Sequence, residues 1–175
     1  MIKKLFLLVM VVVLILLSAC SLPEPGFEAD DQAAIYTAVI SYVYRVDNTF
    51  GDKEFSVVYL TRYSDDSVGD PVSTEASPEL ISEPVQAAII VGLEGLPAEI
   101  IWVDDTEQVP VEEGMVAGDG AIITVGNIHQ QWDGTVQVPA SIYFANLGAG
   151  GATYIVEKID DIWTVTGNTG PRWIS

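Results

Sequence analysis

Basic side chains are scarce in this sequence: 7 Lys and Arg stand against 25 Asp and Glu in 175 residues. A chain so negative repels phosphate backbones, which excludes nucleic acid as a partner. Cysteine and histidine are scarcer still, with one of each, Cys20 and His129. A lone cysteine forms no disulfide within the chain. A lone histidine makes any Ser-His-Asp or Cys-His arrangement depend on His129, and no serine sits in a Gly-x-Ser-x-Gly turn. His129 lies among polar neighbours, Asn127 to Asp133, and reads as a loop or hairpin residue. Zinc, which favours nitrogen and sulfur ligands, has almost none to use here. There is no internal repeat, heptad pattern or low-complexity block.

What is present starts with an N-terminal signal. Lys3 and Lys4 precede an apolar run from Leu5 to Leu17, 13 residues long. That length is short for a membrane span and typical of the core of an export signal. The next residues, Leu17-Ser18-Ala19-Cys20, resemble the bacterial lipobox. The resemblance implies a lipoprotein signal over 1–19 and a diacylglyceryl group on the Cys20 thiol. It also implies cleavage that makes Cys20 the new N-terminus. Residues 20–29 then form the lipidated cysteine and its tether, stiffened by Pro23 and Pro25. The chain is expected outside the cytoplasm, anchored to the cell membrane or to an outer membrane, and Ser21 fits outer-membrane delivery where such sorting exists. The competing reading is an uncleaved signal anchor, since Leu5–Leu22 is free of charge. Loss of 1–19 removes two basic residues and no acid, leaving five against 25 and a formal charge of −20.

Residues 30–175 read as one α+β domain. Ile35, Val39, Tyr42, Val43 and Val46 recur at helical spacing, widened by Tyr36, Ile40 and Tyr44, with Asp30 or Asp31 as the cap. Glu54–Tyr63 and Glu99–Val103 read as strands, and between them Ser82, Pro84, Val85, Ala88, Ile89 and Leu93 mark a second helix. Residues 64–78 and 104–113 read as acidic surface loops. The last third predicts four strands, 121–128, 135–145, 152–159 and 162–166. Their turns are Asp133-Gly134, the glycine-rich 146–151 and Asp160-Asp161. The expected architecture is two helices packed on one face of an antiparallel sheet that ends in a four-strand meander.

The candidate sites are modest. Asp65, Asp66 and Asp70, with Ser67 and Gly69, place three carboxylates within six residues, a calcium candidate that departs from the EF-hand in spacing. The alternative is plain solvation of an acidic loop. Paired carboxylates for glycoside hydrolysis need a defined separation, which sequence spacing on loops does not set. Gly148-Ala-Gly-Gly151 lacks the lysine and helix of a phosphate loop and reads as a turn. Among the aromatics, Trp132 and Trp173 stand next to a turn and near the C-terminus. They are the ligand-binding candidates, able to stack on a sugar or pack a peptide.

The segment from Ala140-Ser-Ile-Tyr-Phe-Ala-Asn-Leu to Val156-Glu-Lys-Ile-Asp-Asp-Ile-Trp-Thr-Val165 resembles the closing hairpins of uncharacterised exported bacterial α+β domains. The helix-first, sheet-last order is loosely similar to cystatin-like and nuclear-transport-factor-2-like folds. Neither likeness carries a functional residue. The expected function is that of a non-catalytic cell-envelope lipoprotein, a binding or interaction module for a protein or glycan partner. The alternatives are a calcium-binding or calcium-stabilised module and a carboxylate-based envelope hydrolase.

Overall fold

A computed structural model describes residues 26–51, 53–70, 72 and 78–175. The signal, the lipobox and Cys20 lie outside the described residues. The first helix, α1 (Ala29–Arg45), buries Ile35, Tyr36, Val39, Ile40, Val43 and Tyr44 along the stripe read from the sequence, whereas Val46, expected on that stripe, is exposed because the helix ends one residue before it. Its cap position is Glu28, without a side-chain bond, so Asp30 and Asp31 fall in the first turn, where negative charge suits the helix dipole. The second, α2 (Glu83–Gly92), follows Ser82 at the cap position and carries Pro84 in its first turn. It buries Val85, Gln86 and Ile89.

The sheet is mixed, not antiparallel as expected. Strand β1 (Val57–Thr61) runs parallel to β2 (Glu99–Val103) on one side and to β5 (Gly120–Val125) on the other. The reason is connectivity. The chain between β1 and β2 carries α2 and returns the strand in the same direction, as a crossover helix does. From β5 onward, β7 (Val136–Ala145), β8 (Gly148–Ile159) and β9 (Ile162–Ile174) pair antiparallel in sequence order. Three two-residue strands complete the sheet. β6 (His129–Gln130) pairs with the start of β7, and β4 (Met115–Val116) with its end and with β3 (Val111–Glu112).

Two of the expected turns shift. The glycine-rich stretch is strand, because Ala145 pairs with Gly148 and only Asn146-Leu147 turn the chain. Gly151 is needed in that strand for close approach: a Cβ there would meet the Val68 carbonyl oxygen at 2.5 Å and Trp173 Nε1 at 2.7 Å. At Asp133-Gly134 the turn is longer than two residues, closed by Gln131 N–H donating to the Thr135 carbonyl at 2.9 Å, with Gly134 at φ 87°. Asp160-Asp161 does form a two-residue turn, between the paired Ile159 and Ile162, with both φ values positive.

Alternation divides the sheet cleanly. Val58, Leu60, Ala121, Ile123, Val138, Ala140, Ile142 and Tyr154 face the helices in the main core. Tyr59, Ile101, Val103, Ile122 and Tyr143 face the other side, where Val109 and Val116 cover them. Further along that second face, a 3-10 turn over Asp66–Gly69 lies against β7 and β8, close to Pro139 and Thr153. Polar side chains fasten the layers. The Tyr44 hydroxyl donates to the Phe55 carbonyl at 3.0 Å and accepts from the Phe55 N–H at 3.1 Å, both buried. Asp31 accepts from Trp163 Nε1 at 2.8 Å and Lys158 Nζ at 3.1 Å, joining the start of α1 to the β8–β9 hairpin.

Two outcomes follow from these contacts. Tyr44→Phe leaves a buried N–H and a buried carbonyl without their partner, at about 1–3 kcal/mol each. Urea denaturation is expected to show a loss of about 2–4 kcal/mol, and a loss below about 0.5 would mean the backbone finds other partners. The Trp163 hydrogen bond, then Lys158, holds the Asp31 carboxyl below its usual range. A depressed acid stabilises the fold above its unfolded pKa, and that stabilisation is lost as pH falls through the folded value. Asp31→Asn is therefore expected to be less stable than wild type at neutral pH, with the gap closing below about pH 4. A gap that does not change with pH would assign the effect to shape and not charge.

Candidate binding cleft

Where β1 ends, the chain crosses to the β5–β6 corner. Ser64 N–H donates to the Glu79 carbonyl and Asp65 N–H to the Val125 carbonyl, each at 2.9 Å. Asp65 then caps the 3-10 turn: its Oδ1 accepts from Ser67 N–H at 2.9 Å and from Ser67 Oγ at 2.6 Å. That turn aims Asp66 at the corner. Asp66 Oδ1 accepts from Asn127 N–H at 2.6 Å, and its Oδ2 lies 3.2 Å from Asn127 Nδ2 and 3.1 Å from His129 Nε2. Gly126 makes room, since a Cβ there would meet Asp66 Oδ1 at 2.6 Å. Behind Asn127 is the buried Ser64, whose hydroxyl donates to Asn127 Oδ1 and accepts from Glu79 N–H at 3.0 Å.

Of these groups Asn127 and His129 line a cleft of about 320 Å³, together with Phe27, Gln32, Tyr36 and Glu79. It lies at the carboxyl ends of the parallel strands β1 and β5 and beside the start of α1, a position where sheets of parallel strands commonly place ligand crevices. The Tyr36 hydroxyl is pushed up well beyond its ordinary value, first by burial and then by the negative fields of Glu79 and Asp66. The phenol therefore keeps its proton, and two carboxylates act on one cleft wall. Ser64 is not placed to join His129 and Asp66 as a nucleophile, because the Asn127 amide stands between its hydroxyl and Asp66. The arrangement supplies hydrogen-bond acceptors and negative potential.

The residues singled out from sequence are separated by the fold. Asp65 caps its turn, Asp66 holds the corner, and Asp70 accepts from Val72 N–H at 2.9 Å. Among the described residues, no three His, Cys, Asp or Glu side chains gather in a group able to hold a metal ion. The second acidic loop behaves alike, with Asp105 capping a 3-10 turn over Thr106–Gln108 and Asp104 pairing with Arg62 at 3.1 Å. Trp173 donates its Nε1–H to the Val68 carbonyl at 2.9 Å and so clamps the 3-10 turn onto the sheet. Trp132 is 97% exposed at the tip of the β6–β7 turn. The meeting of Asp66 and His129 spans 63 residues, and no local pattern announces it. The one usable signal is that polar clusters follow both strand ends, at Ser64–Asp66 and at Asn127–His129.

The chain matches no protein-family model, and neither a curated protein nor a solved structure is significantly similar to it.

With each loop carboxylate already accepting a separate bond, millimolar calcium in place of EDTA is expected to leave the melting temperature unchanged. A ligand of the folded state at a hundredfold excess over Kd would add about 2.7 kcal/mol. A rise with calcium that magnesium does not reproduce would mean that Asp65, Asp66 and Asp70 rearrange into a site.

Proposed function

We propose that this chain is a non-catalytic cell-envelope lipoprotein. Its signal is removed at Cys20, the cysteine is acylated, and the α+β domain held at the membrane binds a basic segment of a partner protein. Glu79 on the wall of the cleft, with Asp66 fastened to the lining residues Asn127 and His129, carries this reading. An ammonium or guanidinium group answers that negative charge, and the cleft adds the Gln32 amide and the Asn127 and His129 side chains as polar contacts. The formal charge of −20 on the chain after Cys20 supports it at longer range by steering cations toward the surface. At the level of fold, the likeness is to exported bacterial α+β domains, with the loose cystatin-like or nuclear-transport-factor-2-like order of elements. It lends no residue a role.

Titration calorimetry with a short arginine- and lysine-rich peptide tests this. Binding is expected to weaken about tenfold on Glu79→Gln, equivalent to about 1.4 kcal/mol. The exposed Glu94→Gln, which removes the same charge elsewhere, is expected to change it little. Equal losses from the two variants would mean diffuse attraction to an acidic surface, and the cleft would lose its assignment.

A further inference from the structure

The exposed apolar side chains at the end of the domain where the chain enters point to a second contact surface. Phe27 packs edge-on against Trp163 with ring centroids 5.8 Å apart, so the described chain begins beside the β8–β9 hairpin. At the tip of that hairpin Ile159 and Ile162 face each other, 47% and 67% exposed. The β6–β7 turn leaves the same edge of the sheet, because Val136 at the start of β7 pairs with Val156 near the end of β8. It carries Trp132 almost wholly in solvent.

The tether limits what can cover this patch. Gly26 is six residues beyond Cys20, and six extended residues reach at most about 20 Å. With Cys20 acylated, this end of the domain cannot move further than that from the bilayer. We propose that the β6–β7 and β8–β9 turns rest on the membrane, with Trp132 at the headgroup level and Ile159 and Ile162 beside it. An amphipathic indole suits that depth. The charges beside the patch select the kind of surface. Asp133, Asp160 and Asp161 lie in the same two turns, and Lys158, the nearby cation, is already held by Asp31. The foot therefore favours zwitterionic over anionic headgroups.

This inference rests on the lipid-anchor reading, and the test separates the two. The chain, extracted from bacterial membranes and reconstituted in phosphatidylcholine vesicles, is weighed by mass spectrometry. Its tryptophan fluorescence is then quenched with bromine-labelled phosphatidylcholine. An acyl mass that disappears in Cys20→Ala, with quenching mostly lost in Trp132→Phe, is the expected result. An acyl mass with equal quenching of wild type and Trp132→Phe overturns the foot and leaves the anchor standing. A chain without acyl mass overturns the anchor and the foot with it. Quenching as strong in phosphatidylglycerol vesicles overturns the preference for zwitterionic lipid.

Discussion

A sheet with two apolar faces must be covered twice, and among the described residues helices cover only one of them. The helices α1 and α2 close the face that carries Val58, Leu60, Ile123, Val138 and Ile142. The opposite face, with Tyr59, Ile101, Ile122 and Tyr143, is left to loops, 3-10 turns and the two-residue strand β4. Loops buried against a sheet must satisfy their own backbone groups. This explains the use made of aspartate. Asp65 caps the 3-10 turn that lies on β7 and β8, and Asp66 takes the Asn127 N–H. Trp173 then pins this loop through the Val68 carbonyl, over a strand position that only glycine can occupy.

The candidate cleft is a by-product of the same solution. To bring the loop after β1 across the second face, Asp66 must be fastened at the β5–β6 corner, and the fastening gathers Ser64, Asn127 and His129 there. The wall opposite is α1, which presents Tyr36 and Gln32. Negative potential accumulates because the chain has few cations to spend against its acids. Lys53, Arg62, Lys158 and Arg172 are each already paired, with Asp119, Asp104, Asp31 and Asp47.

Local order was legible in the sequence and long-range order was not. The stripe of α1, the Pro84 start of α2 and the Asp160-Asp161 turn depend on periods and turn chemistry within a few residues, and the structure places all three. The parallel pairing of β1 with β5 joins Val57 to Gly120 across the whole middle of the chain, and no spacing rule encodes it. The glycine-rich strand read as a turn because Gly150 and Gly151 answer contacts with Thr49, Val68 and Trp173, which are distant in sequence. The 104–113 loop read as solvated and does keep its carboxylates exposed, but its covering role was hidden for a related reason. Its charged residues are conspicuous, whereas the covering side chains, Val109 and Val116, are single valines without a pattern. The Asp66–His129 contact belongs to this illegible class, and so does the clamp by Trp173.

The position of β1 has a kinetic side. It is inserted between β2 and β5, and β5 in turn leans on β7 and through it on β8. The first strand made is thus completed by partners 42 and 63 residues later, a layout of high contact order in which loop closure precedes any reward from pairing. A chain emerging from its N-terminal side can form α1 and α2 early, but it cannot close this sheet until its last third is free. Helices without their sheet expose the apolar stripes that hold the core together. During that interval the surplus of carboxylates serves the unfolded chain, keeping one half-made copy away from the next.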